Sequence, residues 1–217
     1  MKWSEEAWKE AEPVYQRILE QDFIRELMAG TLRRDRFLCY IQQDVLYIVD
    51  FGKALAGIAS KVDRIDYQSA FLGFANDCVV VERSLHKLYL DSEEIPKQSV
   101  QSPTCLLYTS YLLKQLHDAP VEVAMAAVLP CFWVYKEIGS YMLAHQNKDN
   151  NPYQSWIDTY SGEGFDQVVQ RIIDICDEMA ERCTKEQRRA MTDAYVLCTK
   201  MEWMFWDAAW KLEEWPV

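Results

Sequence analysis

Apolar residues recur at helical spacing through nearly the whole chain, and very little interrupts them. Trp3, Ala7, Trp8 and Ala11 form a first amphipathic stripe. Phe37, Leu38, Tyr40, Ile41, Val45, Leu46 and Ile48 form a longer one. Glycine and proline number only seven each in 217 residues. Architectures built from many tight turns need more of both, so the pattern predicts an all-α chain of long helices. The run Val79–Val81 is β-prone, but it is short and flanked by charge. No linker, low-complexity stretch or internal repeat divides residues 1–217, which read as one helical-bundle domain.

Local signals place the breaks. Pro13 is expected to bend the first helix. Gly30-Thr31-Leu32 ends a short second one, and Asp35 is a candidate cap for the long third. Tyr67–Tyr89 reads as a fourth helix. Further helices are expected at Thr104–Leu116, Pro120–His145, Tyr153–Thr159, Phe165–Cys183 and Lys185–Leu212, the last capped by Thr184.

Charge and cysteine usage remove several function classes. The net charge of -11 and pI near 4.8 leave no basic footprint for nucleic acid. No apolar run reaches membrane-spanning length, because Glu122 and Pro130 interrupt the longest, around Val121–Tyr135. The N-terminal Met1-Lys2-Trp3-Ser4-Glu5-Glu6 is acidic and amphipathic rather than a secretory signal, and a cytoplasmic protein is the expectation. The seven cysteines are odd in number, scattered and without a CxxC pair, which argues against a disulfide framework or zinc knuckle. Glu82 and His86 have metal-ligand spacing. With only three histidines in the chain, pairing along a helix surface is the better reading, and no metal or other cofactor is expected.

Three stretches have chemistry in them. In Leu129-Pro130-Cys131-Phe132, the proline should bend or restart a helix. Cys131 would then meet freed N–H groups, which favour a thiolate; the alternative is a buried structural cysteine. Asp44 lies among Tyr40, Ile41, Tyr47 and Ile48 at helical spacing. Its carboxylate must find a partner there, either a ligand or a salt bridge. Glu202, within Met201-Glu202-Trp203-Met204-Phe205-Trp206, is either a desolvated acid/base with a raised pKa or an exposed residue on the back of a core helix, where Asp207 and Glu213 are placed. No phosphate loop, dinucleotide fingerprint or GxSxG elbow is present.

Taken in order, these stretches resemble the TenA/thiaminase II family. The first match is Gly30-Thr31-Leu32 with Phe37, Tyr40, Gln43-Asp44 and Tyr47. Ser102-Pro103-Thr104 with Tyr108-Thr109-Ser110 is the second. Leu129 to Tyr135 with Glu137 and Gly139 is similar to the segment that holds the family's nucleophile. Trp156-Ile157-Asp158-Thr159-Tyr160, and Glu202 with Phe205-Trp206, complete the series. Tyr111 stands where the family often has histidine, and Ser161-Gly162-Glu163-Gly164 replaces a Gly-Gly-Asp-Trp-like run. Both departures bear on leaving-group preference.

The resemblance implies a haem-oxygenase-like fold without haem, assembled as a homotetramer. It implies hydrolysis of 4-amino-5-aminomethyl-2-methylpyrimidine to the hydroxymethyl pyrimidine and ammonia, with thiamine a second substrate. It assigns Cys131 as nucleophile and Glu202 as acid/base. Asp44 would read the aminopyrimidine edge, Tyr108 would bond near the cysteine, and Tyr47, Tyr135 and Tyr160 would shape the pocket. Two other readings are a metal-dependent oxidase on the same scaffold and a non-catalytic regulatory or interaction module.

Overall fold

The computed structural model describes residues 1–85, 100–146 and 150–217. Those residues form helices α1 (Trp3–Leu19), α2 (Asp22–Ala29), α3 (Arg34–Lys61), α4 (Ile65–Leu85), α5 (Pro103–Asp118), α6 (Val121–His145), α7 (Gln154–Tyr160), α8 (Glu163–Ala180) and α9 (Lys185–Lys211), with no strand among them. The expected end of the fourth helix at Tyr89, and the pairing of Glu82 with His86, lie outside the described residues and side chains.

Helix α6 is the hub. Every residue from Glu122 to Pro130 is buried, as a helix apolar on all sides must be. It packs along α9 and also touches α5, α7 and α8, while α3 pairs with α4 and leans on α5 and α9. This burial overrides the local proline rule. Pro130 removes one N–H donor and crowds the carbonyl a turn back, yet α6 runs through it unbroken. The expected helix restart at Cys131 is therefore not present. Pro13 likewise sits inside a continuous α1.

Of the two caps expected from the sequence, Thr184 is present and Asp35 is not; Ser102 is a third, unforeseen one. Thr184 accepts from Gln187 N at 3.2 Å, and the Gln187 side chain accepts from Thr184 N at 2.8 Å, a reciprocal capping box. Ser102 caps α5, accepting from Cys105 N at 3.3 Å. Asp35 is not the cap of α3, which is Arg33. It lies in the first turn, where its carboxylate pairs with Arg33 and accepts from Arg36 N. An acid there favours the helix dipole from either position. Gly30 ends α2 at φ 72°, a left-handed turn that suits glycine. Asn151 then closes over it, donating to the carbonyls of Leu27 and Met28.

One buried polar contact ties the start of the chain to α8. Asp177 on α8 accepts from Ser4 N and Ser4 Oγ, each at 2.8 Å, fixing the start of α1. Asp177→Ala strands both donors in a buried place and should lower stability by about 1–3 kcal/mol. Urea unfolding would read this, and an unchanged midpoint would contradict it.

Candidate active site

Helical spacing brings the chemically active side chains inward. On α3, Tyr40, Asp44 and Tyr47 share one face, as do Cys131 and Tyr135 on α6 and Glu202, Phe205 and Trp206 on α9. Tyr108 comes from α5, and Tyr160 is the last residue of α7. The seven residues singled out in the sequence thus lie in one cluster between α3, α5, α6, α7 and α9. Glu202 is 2% exposed and Asp44 4%. Tyr47, Tyr108 and Tyr135 are equally buried, while Cys131 and Tyr160 are partly buried.

Aromatic rings form the walls. Tyr135 lies 4.9 Å from Tyr160 and 5.0 Å from Trp206, centroid to centroid. Tyr47 lies 5.0 Å from Tyr108 and 5.7 Å from Phe205. Tyr40 links the two sides: its hydroxyl accepts from Trp156 Nε1 at 3.2 Å and donates towards the Tyr135 hydroxyl at 3.4 Å. Tyr40, Phe205 and Trp206 therefore belong to the site, although sequence reasoning gave them no role there. Tyr40 was recoverable, since it precedes Asp44 by one helical turn.

The polar groups inside these walls are unevenly satisfied. Tyr108 donates to Glu202 Oε1 at 2.7 Å. Asp44 Oδ2 and Trp206 Nε1 are buried with no hydrogen-bond partner. Buried polar atoms are normally paired, so two orphans around one cluster point to a ligand that completes them.

Burial sets the protonation states. It pushes the Asp44 carboxyl from its ordinary 3.8 up to about 7. It pushes Glu202 from 4.5 up to about 8; the Tyr108 hydrogen bond opposes this, and the Asp44 charge adds to it. The Cys131 thiol is also driven well above its ordinary value, by burial first and then by the charge of Glu202, with the Tyr47 hydroxyl acting in the opposite direction. This corrects the expectation of a preformed thiolate. That expectation needed a helix start beside Cys131, and α6 has none there. Among the described residues, no cationic side chain is among the groups that perturb these three.

The carboxyl shifts have a consequence for stability. Both folded pKa values exceed the unfolded ones, so the folded state holds protons that the unfolded state releases. Stability is fullest below about pH 4 for these groups and falls as pH rises through about 7 for Asp44 and about 8 for Glu202. Asp44→Asn removes the Asp44 share, and should raise the stability of the ligand-free protein at pH 8 by about 1–3 kcal/mol. Urea midpoints at pH 5 and pH 8 test this: the variant should show the smaller difference, and an equal difference would contradict it.

Neighbouring residues that drew attention in the sequence lie outside the cluster. Cys105 donates towards the Gln43 carbonyl at 3.6 Å, and Gln43 Oε1 accepts from Ser102 N at 2.8 Å, so both help to dock α5 on α3. Tyr111 is half-buried; burial and then Cys198 and Asp193 push it up to about 12. Ser161 and Gly162 form the corner between α7 and α8. Glu213 is not simply on an exposed helix back: it lies beyond α9 and accepts from Thr104 N and Oγ1 at 2.9 and 3.0 Å. Among the described residues, no group of three or more His, Cys, Asp and Glu side chains is arranged to hold a metal, and no helix is long and apolar enough to cross a membrane. An open cleft of about 800 Å³ lies elsewhere, between α1, α6 and α8. Trp133 Nε1 and Asp177 in it are already bonded, to Glu137 and Ser4, so size alone does not make it the stronger site.

Known proteins are similar to this chain over almost its whole length. A Bacillus subtilis protein named aminopyrimidine aminohydrolase is 32% identical over 99% of this chain and 92% of its own length. A Corynebacterium efficiens protein named thiamine biosynthesis multifunctional protein ThiED is 36% identical over 93% of this chain, which spans only 27% of that longer protein. Among solved structures, a TenA family transcription regulator from a Silicibacter species superposes with a TM-score of 0.88 at 26% identity, covering 96% of both chains. A Shewanella denitrificans domain described as having a heme oxygenase-like fold gives 0.73 at 14% identity, covering 94% of this chain and 90% of that one, which assigns the fold. The TENA/THI-4/PQQC family model matches residues 8–212, and with helices, site cluster and relatives in agreement, this chain belongs to that family.

Proposed function

We propose that the chain hydrolyses 4-amino-5-aminomethyl-2-methylpyrimidine to its 5-hydroxymethyl counterpart and ammonia, as part of thiamine salvage, with Cys131 as nucleophile and Glu202 as acid/base. The observation that carries this reading is the buried, unpartnered Asp44 carboxyl, enclosed by aromatic rings and sharing its interior with Cys131 and the Tyr108–Glu202 pair. An aminopyrimidine edge offers an N–H donor beside a ring-nitrogen acceptor. A carboxyl poised near pH 7 meets that edge as the acid, its O–H donating to the ring nitrogen and its carbonyl oxygen accepting from the amino group. The flat ring suits walls of tyrosine, phenylalanine and tryptophan.

The chemistry follows from the protonation states. Cys131 is held as a thiol, so its proton must leave as sulfur attacks. Ionised Glu202 takes it, and a base titrating near the working pH is well placed to do so. Sulfur bonds to the pyrimidine ring. The exocyclic C–N bond then breaks, and the amine departs with a proton returned from Glu202. Water adds at the methylene carbon, losing a proton to Glu202. The ring–sulfur bond breaks, and Cys131 is released as a thiol. The net change is one water consumed and one ammonia released. Thiamine, with a thiazole in place of the amine, is a second substrate of the same route.

Asp44→Ala removes both the donor and the acceptor that meet that edge. It should raise KM for the aminomethyl pyrimidine about 10-fold or more, a loss of roughly 1.4 kcal/mol of binding or greater. Steady-state ammonia release from the aminomethyl pyrimidine, with thiazole release from thiamine in parallel, tests the whole reading. Turnover of neither substrate by the wild type would overturn it. The working form is proposed to be a cytoplasmic, single-domain homotetramer that needs no cofactor, for which light scattering on the purified chain gives the subunit count.

A further inference from the structure

An interior glycine weakens a helix relative to alanine, so a glycine in the middle of α6 needs a reason. Gly139 is buried and does not have a positive φ, so backbone freedom is not that reason. Space is. A Cβ at residue 139 would lie 2.6 Å from both the carbonyl carbon and oxygen of Tyr160, and 2.9 Å from its Cβ. The first two are backbone atoms at the end of α7, which cannot rotate aside as a flexible side-chain tip would.

The same residue carries its ring into the site. Tyr160 sits 4.9 Å from Tyr135 and 4.7 Å from Trp156, and meets Phe165 edge-on at 5.5 Å. Its hydroxyl lies beside Tyr40 and senses the charges of Asp44, Cys131 and Glu202. The corner behind it is tight. Ser161 N and Oγ both donate to the Ile157 carbonyl, at 3.0 and 2.7 Å, and a Cβ on Gly162 would meet the Asp158 carbonyl oxygen at 3.2 Å. A methyl group at residue 139 would therefore push Tyr160 as a unit with the end of α7.

We infer that Gly139 is a positioning residue: by letting the end of α7 rest on the backbone of α6, it sets how deeply Tyr160 reaches into the site. The inference rests on the aminopyrimidine reading for its effect on turnover, but not for its effect on the site's geometry. Gly139 touches no reacting atom and acts only through Tyr160.

A double-mutant cycle tests this. Gly139→Ala should lower kcat/KM for the aminomethyl pyrimidine by about 10- to 100-fold, as small misplacements in a site commonly do. In a Tyr160→Ala background the same change should cost less than about 3-fold, because the ring whose reach it alters is already gone even though the backbone it pushes remains. Additive losses would mean a general packing role and would overturn the inference. Gly164→Ala on the next helix, where a Cβ meets nothing within 4 Å, should leave kcat/KM unchanged. A second readout needs no substrate. Alkylation of Cys131 by iodoacetamide, followed by mass spectrometry, should speed up several-fold in Gly139→Ala and gain nothing further when Tyr160→Ala is already present. Should the wild type turn over no pyrimidine, the alkylation cycle still decides the positioning claim while the functional reading falls. If Gly139→Ala does not fold, Gly162→Ala pushes the same corner more gently. Coupling of its effect to Tyr160→Ala would support the inference, and additivity would overturn it.

Discussion

Cys131→Ala is expected to cut ammonia release by about 10⁴-fold or more while changing substrate affinity only a few-fold. The thiol is the strongest nucleophile among the seven clustered side chains, and the carboxyls and phenols beside it are poor replacements for sulfur at a ring carbon. Binding should survive because the recognition groups, Asp44 and the aromatic walls, come from α3, α5, α7, α9 and Tyr135 of α6 rather than from Cys131 itself. Calorimetry with the hydroxymethyl product would read binding apart from turnover. Retained turnover in the variant would remove the covalent route and favour direct attack by water. The high thiol pKa adds a condition. Cys131 should alkylate slowly near neutral pH in the free protein, since reactivity follows the thiolate fraction. Rates equal to those of an exposed cysteine would contradict the burial argument.

Glu202→Gln should lower kcat by about 10²- to 10⁴-fold, the range for loss of a general acid/base, with a smaller change in KM. The amide keeps an oxygen for the Tyr108 hydroxyl, which donates to Glu202 at 2.7 Å, so the local packing should hold. The pH profile carries more information than the rate alone. Glu202 must be ionised to take the thiol proton, and its folded pKa is about 8. Wild-type kcat/KM should therefore climb as pH rises towards 8 and level off above it. In Glu202→Gln that rise should disappear. An unchanged profile would assign the titration to another group and withdraw the acid/base role.

Much of this was legible in the sequence, for physical reasons that differ by residue. Helix positions followed from apolar spacing, and Thr184 announced one helix start by its chemistry. Asp35 misled because an acid suits both the cap and the first turn, and only the backbone decides between them. Pro130 misled because its local cost was weighed without the packing that surrounds α6 on every side. The thiol at Cys131 followed the same error: a thiolate was expected from a helix end that is absent, and desolvation, a property of the folded interior, moves the pKa the other way. Asp44 and Glu202 fared better, because an acid set among aromatic residues at helical spacing already implies burial. Gly139 gave no local sign of its role, since the atoms that exclude its Cβ belong to a residue 21 positions further along the chain.

The most direct test is turnover of 4-amino-5-aminomethyl-2-methylpyrimidine in ¹⁸O-labelled water by the wild type and by Cys131→Ala. One ¹⁸O in the hydroxymethyl product and one ammonia per turnover are expected from the wild type, and neither from the variant. Equal product from both proteins, or none from the wild type, would contradict it.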